Sequence, residues 1–253
     1  MEIASLVLLA GLCVFVGILI GGVGIGGVLL VPILTYIFAI DVHAAIAAAM
    51  VSYLFTGTIG AVLYARKRSI EWSMTFWLFI SAAPAAFLGA WMSSIIPGAG
   101  LEFVIAVLVV FAGINALLTS DDASGAEKTL SPGALVAAGS LTGIGSALSG
   151  TGGPLVLVPL LVWLKVPALV TVGLSQAIQV PVAALATAGN YLYGTVDYKL
   201  GLVIAAGTMT GAIGGAHLAH LVSQAVLRRV VAWVLVAAGT LIITRIALRL
   251  IAG

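Results

Sequence analysis

Charge is the scarcest property of this sequence. Of its 253 residues only 7% are charged, whereas 62% are hydrophobic. Soluble domains carry about 25% charged residues, so this chain cannot cover a water-exposed surface. The composition therefore excludes a soluble globular domain and indicates an integral membrane protein, with the lipid bilayer as its main partner. The net charge of +2 gives no reason to expect a nucleic-acid partner.

Residues for catalysis and metal binding are also scarce. Cys13 is the only cysteine, which excludes an internal disulfide. The three histidines, His43, His217 and His220, lie at the ends of apolar segments and form no H-E-x-x-H pattern. Because no catalytic pair or metal-ligand cluster is visible, we expect no enzyme activity, no metal and no cofactor.

Long apolar segments make up most of what is present. They cover residues 3–21, 28–40, 43–65, 72–96, 101–119, 132–148, 154–164, 167–193, 200–222 and 227–251. A helix needs about 20 apolar residues to cross a bilayer, so segments 28–40 and 154–164 are too short to span it. The pattern predicts an all-α, multi-pass protein of the cytoplasmic membrane.

The chain repeats itself at an offset of 126 residues. The stretch "GIGGVLLVPIL" resembles the later "GTGGPLVLVPLL", and the pairs Gly27/Gly153 and Glu71/Asp197 share the offset. We predict two homologous halves, 1–119 and 132–253, joined by a polar linker at 120–131. Each half would hold one glycine-broken or re-entrant segment and about three further transmembrane helices.

The relative orientation of the halves depends on what the short segments do. If each glycine cluster turns the chain back, the halves are inverted; if each long and short pair forms one broken crossing, they are parallel. In either arrangement Lys and Arg fall mainly on one side, so they do not decide the matter. Residues 3–40 would form a rod of about 57 Å, far longer than one crossing needs. We therefore favour inverted repeats with both termini outside.

The glycine cluster before residue 28 also matches a dinucleotide-binding pattern, G-x-G-x-x-G at Gly22, Gly24 and Gly27. That reading fails, because the pattern requires a preceding strand and a soluble βαβ unit, and here membrane helices flank it. Many other glycines fit close helix packing. The two clusters that precede short helices fit a different role. Unwound backbone there would present free N–H groups and a helix N-terminus to an anion.

On these motifs the sequence resembles the TauE/SafE family of sulfite and organosulfur-anion exporters. The paired G-x-G-G…P stretches carry the resemblance, which extends over nearly the full length. The first motif of the family usually has a third consecutive glycine, whereas here Val28 follows Gly27. In the second motif, Pro154 stands at the same place, after Gly153. The resemblance implies transport of a small sulfur-containing or carboxylate anion.

Polar residues on the helices after the breaks complete the predicted substrate site. The predicted substrate-binding residues are Gly24, Gly26, Gly27, Ser52, Thr56, Gly150, Thr151, Gly152, Gly153, Ser175, Gln176 and Gln179. For the hydroxyl and amide side chains, hydrogen bonding between helices is the alternative.

The leading hypothesis is a secondary transporter that works by alternating access; an anion or small-solute channel is the alternative. We find no acidic residue at the centre of an apolar segment, which leaves coupling through the substrate's own proton or downhill diffusion. The sequence does not decide whether the protein forms a homodimer.

Overall fold

The computed structural model describes residues 3–23, 26–118 and 130–218, together with 232, 233, 235–240 and 242–245. The described part contains helices and no strand. The helices are α1 Ile3–Val23, α2 Leu30–Tyr36, α3 Val42–Arg66, α4 Trp72–Ile95, α5 Gly98–Leu118, α6 Pro132–Ser149, α7 Pro154–Trp163, α8 Ala168–Tyr193 and α9 Tyr198–Leu218. A 3₁₀ turn, Gly26–Leu29, precedes α2, and a further apolar helical stretch covers Leu235–Arg245.

Membrane-length helices confirm the predicted fold class. Within the described residues, five helices are long and apolar enough to cross a bilayer: Ala4–Gly22, Val42–Arg66, Trp72–Ile95, Gly98–Asn115 and Val170–Tyr193. The two short helices, α2 with 7 residues and α7 with 10, cannot span it. The chain is an all-α, multi-pass membrane protein. Most of the predicted linker, 120–131, lies outside the described residues, and the division into two halves remains a prediction.

Local sequence explains where several helices begin. The side chain of Asp41 accepts hydrogen bonds from the N–H groups of His43 and Ala44, which caps α3. Ser131 caps α6 by accepting from the N–H of Ala134, at 3.4 Å. These short polar side chains satisfy N–H groups that a helix start would otherwise leave unpaired.

Helices end beside both glycine clusters. Helix α1 ends at Val23, and the 3₁₀ turn follows before α2. Helix α6 ends at Ser149, and Gly150 adopts a left-handed conformation with φ +65° while its N–H bonds to the carbonyl of Ser146. Pro154 then opens α7, at a position where its missing N–H costs no helical hydrogen bond.

The helices of the two predicted halves pack against each other in an exchanged pattern. Helix α4 packs on α6 and α8, whereas α9 packs on α1 and α3. Suppose that α1 corresponds to α6, α3 to α8 and α4 to α9. The contacts of α4 with α6 and α8 are then equivalent to the contacts of α9 with α1 and α3. Helices α3 and α8, which would be the third corresponding pair, also pack together.

Contacts at glycines give the directions of these helices. Gly17 of α1 lies against Thr208 of α9 and Gly21 lies against Ala212, so α1 and α9 run in the same direction. In α3, Gly57 lies against Gln179 of α8 and Gly60 lies against Gln176. Because the numbers rise in α3 as they fall in α8, these two helices run in opposite directions.

Close backbone approach explains a large share of the glycines. A Cβ at Gly211 or Gly215 of α9 would overlap the backbone of α1, and one at Gly143 of α6 would overlap the carbonyl of Ala82 in α4. Small residues at such crossings allow membrane helices to pack closely. This packing role is separate from the backbone breaks.

Candidate functional site at the second helix break

The second break is built by three glycines with positive φ. Gly150, Gly152 and Gly153 have φ of +65°, +77° and +120°, and no other described glycine has a positive φ. L-residues with a side chain rarely adopt these conformations, so the loop shape depends on glycine here. The loop therefore turns sharply inside the protein, between the end of α6 and the start of α7.

Three backbone N–H groups at this break are left without acceptors. Within the described residues, the N–H groups of Gly152, Gly153 and Leu155 donate no hydrogen bond. All three residues are buried, with Leu155 only 2% exposed. Buried backbone donors are nearly always paired in folded proteins. A group of three unpaired donors at the start of a helix is the arrangement that receives an anion.

Tyr53 of α3 lies between the two breaks. Its hydroxyl donates to the carbonyl oxygen of Gly27 at 2.7 Å, and the side chain is fully buried. Its ring also contacts the second break, because a Cβ at Gly152 would lie 2.7 Å from the ring carbon Cδ2. One side chain therefore connects the first break, α3 and the second break.

The amide of Gln179 lies directly against the second break. Its Nε2 would be 3.1 Å from a Cβ at Gly152, and the residue is 1% exposed. The Oε1 atoms of Gln179 and Gln176 are both buried without a hydrogen-bond partner. An unpaired buried polar group costs about 1–3 kcal/mol, and the partner that each Oε1 lacks is a hydrogen-bond donor. The Nε2 group of Gln179 is the part of this amide that can donate to an anion.

Two hydroxyl groups of α6 approach the same region. Thr142 lies closest to Gly153, with its methyl carbon 3.9 Å from the position of a Cβ there. The hydroxyls of Thr142 and Ser146 are buried and have no hydrogen-bond partner. The two residues are four apart and therefore share one face of α6. Each hydroxyl can donate or accept a hydrogen bond.

The first break is packed differently from the second. A Cβ at Gly26 would collide with the backbone of α1 at Ile20 N and Val16 O, at 2.6 and 2.7 Å. Gly27 lies against the hydroxyl of Tyr53, and neither glycine has a positive φ. Gly24 lies outside the described residues. At the first break, glycine is needed for close packing, and the carbonyl of Gly27 is already bonded.

The predicted hydroxyl side chains mostly bond to their own helices. Ser52 donates to Ala49 O, Thr56 to Ser52 O and Ser175 to Thr171 O. Thr151, in the break itself, pairs its hydroxyl with that of Ser149 at 2.9 Å. These hydroxyl protons are therefore already used, although their oxygens can still accept.

The predicted residues separate into two groups. Gly152, Gly153 and Gln179 are brought together at the second break, whereas Thr56 and Gln176 line a separate small cavity with Gly60 and Tyr64. The side chains of His217 and His220 lie outside the described residues.

One acidic residue that the sequence analysis did not weigh lies within a membrane-length helix. Glu102 is one turn inside α5, and its carboxylate accepts a hydrogen bond from the hydroxyl of Tyr36 at 2.9 Å. Arg245 lies over the ring of Tyr36, with 5.5 Å between its Cζ and the ring centroid. This group ties the end of α2 to α5.

Sequence reasoning missed Tyr53, Thr142 and Ser146. A signal for Tyr53 was present, because it precedes Gln179 by 126 residues, the same offset that relates Gly27 to Gly153. The stretch "LTGIGSALSG" likewise places Thr142 and Ser146 at helical spacing just before the second break. Neither signal says that the groups are left unpaired, which depends on packing.

Taken together, the second break offers several uncharged donors to one small ligand. The backbone N–H groups and the amide of Gln179 can each donate to an anion, and the α6 hydroxyls add to them. Binding by dipoles alone is weaker than binding by Arg or Lys, and this suits a ligand that must also be released. Among the residues that the structure describes, no group of three or more His, Cys, Asp or Glu side chains is placed to hold a metal ion.

The sequence is similar to those of known membrane proteins. The family model "Sulfite exporter TauE/SafE" matches residues 8–242. A probable membrane transporter protein of Bacillus subtilis, YdhB, is 29% identical over 90% of this chain and 96% of its own. A probable membrane transporter protein of Xylella fastidiosa is 27% identical over 97% of each chain. One from Methanocaldococcus jannaschii is 27% identical over 78% of each. No solved structure matches the chain.

Proposed function

The chain belongs to the sulfite exporter TauE/SafE family and is a membrane transporter; from that premise we propose that it carries a small sulfur-containing anion, of the sulfite or organosulfonate class. The anion binds at the second helix break. The observation that carries this proposal is the group of unpaired N–H donors at Gly152, Gly153 and Leu155. The Nε2 group of Gln179 lies beside them, 3.1 Å from the position of a Cβ at Gly152.

The chemistry of the site supports an anion over a cation. Backbone N–H groups can only donate, and the N-terminus of α7 carries the positive end of the helix dipole. A bound cation would meet these donors unfavourably. A sulfite or sulfonate group has three oxygens, enough to accept from several of these donors at once, and Gln179 can complete the set.

Alternating access through inverted halves is the second part of the proposal. Helices α3 and α8 correspond to each other and run in opposite directions, as the Gly57–Gln179 and Gly60–Gln176 contacts indicate. A two-fold axis that relates antiparallel helices is perpendicular to them, so in a membrane it lies in the bilayer plane. This supports inverted repeats, with a site near their interface that opens to each side in turn.

The proposal is tested by the thermal stability of the detergent-purified protein in a panel of anions. The panel contains sulfite, sulfate, sulfoacetate, taurine, acetate and chloride. A ligand that binds only the folded protein raises its melting temperature in a saturable manner. We expect such a rise with sulfite or sulfoacetate and its loss in Gly152→Val, because the new side chain would fill the break.

Gly211→Val is the matched control for that variant. Its side chain would collide with α1 rather than with the site, so the yield of folded protein falls while the purified fraction still responds to the anion. If all anions leave the melting temperature unchanged, the anion site is wrong, and a channel for a neutral solute becomes the better reading.

A further inference from the structure

A row of unpaired polar side chains runs along α8. Four residues each have a buried side-chain atom without a hydrogen-bond partner: Gln176, Gln179, Thr187 and Asn190. At 100° per residue, these four positions and Ala183 between them fall within about 80° of one another around the helix. They therefore share one face, which we call the polar face of α8. The face is about 21 Å long.

The polar face is buried, so water has no ready access to it. Thr187 is 9% exposed and Asn190 is 7% exposed, and the two glutamines are more deeply buried still. Single unpaired polar atoms occur in folded proteins for many reasons. Four on one helical face, in a membrane protein, indicate that this face receives polar groups from a mobile ligand or from water.

A small cavity lies at each end of the polar face. The Gln176 cavity is lined in part by Thr56, Gly60, Tyr64 and Gln176. Its volume is about 10 Å³. The Asn190 cavity is lined in part by His43, Ser93, Ser94, Asn190 and Thr195, and its volume is about 20 Å³. Each has room for about one water molecule.

The two cavities lie toward opposite sides of the membrane. Gln176 lies near the start of the membrane-length stretch Val170–Tyr193 and Asn190 lies near its end. The second break, at Gln179, lies between them. Since Tyr53 and the glycines fill the space around Gln179, the structure has a closed centre with a small cavity on either side. The Gln176 cavity is lined mainly by apolar groups, and the Asn190 cavity is the more polar of the two.

We propose that the transported anion moves along the polar face of α8, between the Gln176 cavity and the Asn190 cavity, and that Asn190 binds it at one end of this path. The inference rests on the proposed function and adds a second binding residue and a route to it. The Nδ2 of Asn190 is an unpaired donor, and the hydroxyls of Ser93 and Ser94 line the same cavity. An anion at this point would meet donors without a fixed positive charge, as at the second break.

Cysteine accessibility tests the route. Since Cys13 is the only cysteine, Cys13→Ala gives a thiol-free background into which single cysteines are placed. Positions Ala183, Thr187 and Asn190 sample the polar face. The probe is 2-sulfonatoethyl methanethiosulfonate, a thiol reagent that itself carries a sulfonate, applied to proteoliposomes. We expect all three cysteines to react, and excess sulfoacetate to slow the reaction.

Two neighbouring positions serve as controls. Val182 is fully buried on another side of α8, and Ala188 is exposed on the outer surface of the bundle, where lipid would cover it. Neither Val182→Cys nor Ala188→Cys should react with a charged reagent. If Thr187→Cys stays unreacted, or if Val182→Cys reacts equally, the polar face is not the path.

Asn190→Leu separates this inference from the proposed function. We expect the variant to keep the stabilisation by anion at the second break, and to lose uptake of radiolabelled sulfoacetate into proteoliposomes. Transport at the unaltered rate would overturn the role of Asn190 while leaving the central site intact. If the unaltered protein neither transports sulfoacetate or sulfite nor is stabilised by them, the proposed function itself fails.

Discussion

At the scale of single residues, Tyr53 holds the two breaks in their observed relation. Its hydroxyl is the bonded partner of the Gly27 carbonyl within the described structure. Tyr53→Phe would remove this buried hydrogen bond, at a cost of about 1 kcal/mol. We expect a lower melting temperature in detergent. Tyr198→Phe is the control, because Tyr198 is 46% exposed, and its melting temperature should stay unchanged.

A second residue-scale prediction concerns Gly152. Gly152→Ala places a methyl group 2.7 Å from the ring of Tyr53 and forces an L-residue to a φ of +77°. Both effects destabilise the folded state, so the melting temperature should fall. Gly133→Ala is the matched control in the first turn of α6, where a Cβ meets nothing within 4 Å. That change should be neutral or stabilising by up to about 1 kcal/mol, since alanine favours helix. Equal losses at both positions would contradict the strained loop.

At the scale of elements, the α1–α9 crossing depends on its small residues. Gly211→Ala would drive a methyl group into the carbonyl of Val14, whereas Gly214→Ala in the same helix meets open space. Forcing apart such a crossing costs about 1–3 kcal/mol. We expect Gly211→Ala to lower the yield of folded, monodisperse protein and Gly214→Ala to leave it unchanged, as measured by size-exclusion chromatography. The opposite order would mean that α9 does not pack as described.

The elements were largely predictable from the sequence, and the site only in part. Apolar runs and glycine clusters predicted the long helices and both breaks, because helix length and glycine content act locally. That glycine packs against α1 at the first break, whereas the second break leaves backbone N–H groups unpaired, could not be predicted, since the two clusters look alike. The difference arises from tertiary neighbours: the backbone of α1 lies against Gly26, whereas a Cβ at Gly153 would have no neighbour closer than 3.9 Å.

The hydrogen-bond partners of the side chains also could not be predicted from the sequence. From the sequence, Ser52 and Gln179 both looked like residues that line the substrate site. In the structure the Ser52 hydroxyl donates to the carbonyl of Ala49 on its own helix, whereas the Oε1 of Gln179 has no hydrogen-bond partner. A serine can fold back onto a carbonyl three or four residues earlier, and such local bonds compete with ligand binding. The longer amide of glutamine reaches away from its helix, so its partner depends on the fold.

At the scale of the whole molecule, the account predicts inverted repeats. The loop after α3 and the loop after α8 occupy corresponding places, so inverted halves put them on opposite sides of the membrane, and parallel halves put them on the same side. Lys67→Cys and Lys199→Cys, each in the Cys13→Ala background, should therefore be labelled from opposite sides of sealed vesicles. Labelling of both from one side would contradict inverted repeats.

The central claim is that the unpaired groups at the second break exist for an anion, and Gln179→Met tests it most directly. The substitution keeps the side-chain length and removes the amide, so the ligand-free protein no longer contains that unpaired polar group. Replacing such a group by an apolar one is neutral or stabilising. The measurement is the melting temperature of both proteins as sulfite or sulfoacetate is titrated.

The account predicts that Gln179→Met melts at or above the unaltered protein without anion. It also predicts that the same concentration of anion raises the melting temperature of the variant less, because the Nε2 donor is lost while the backbone N–H donors remain. A variant that melts lower and still responds fully to the anion would contradict the account, because the amide would then stabilise the fold and not the ligand.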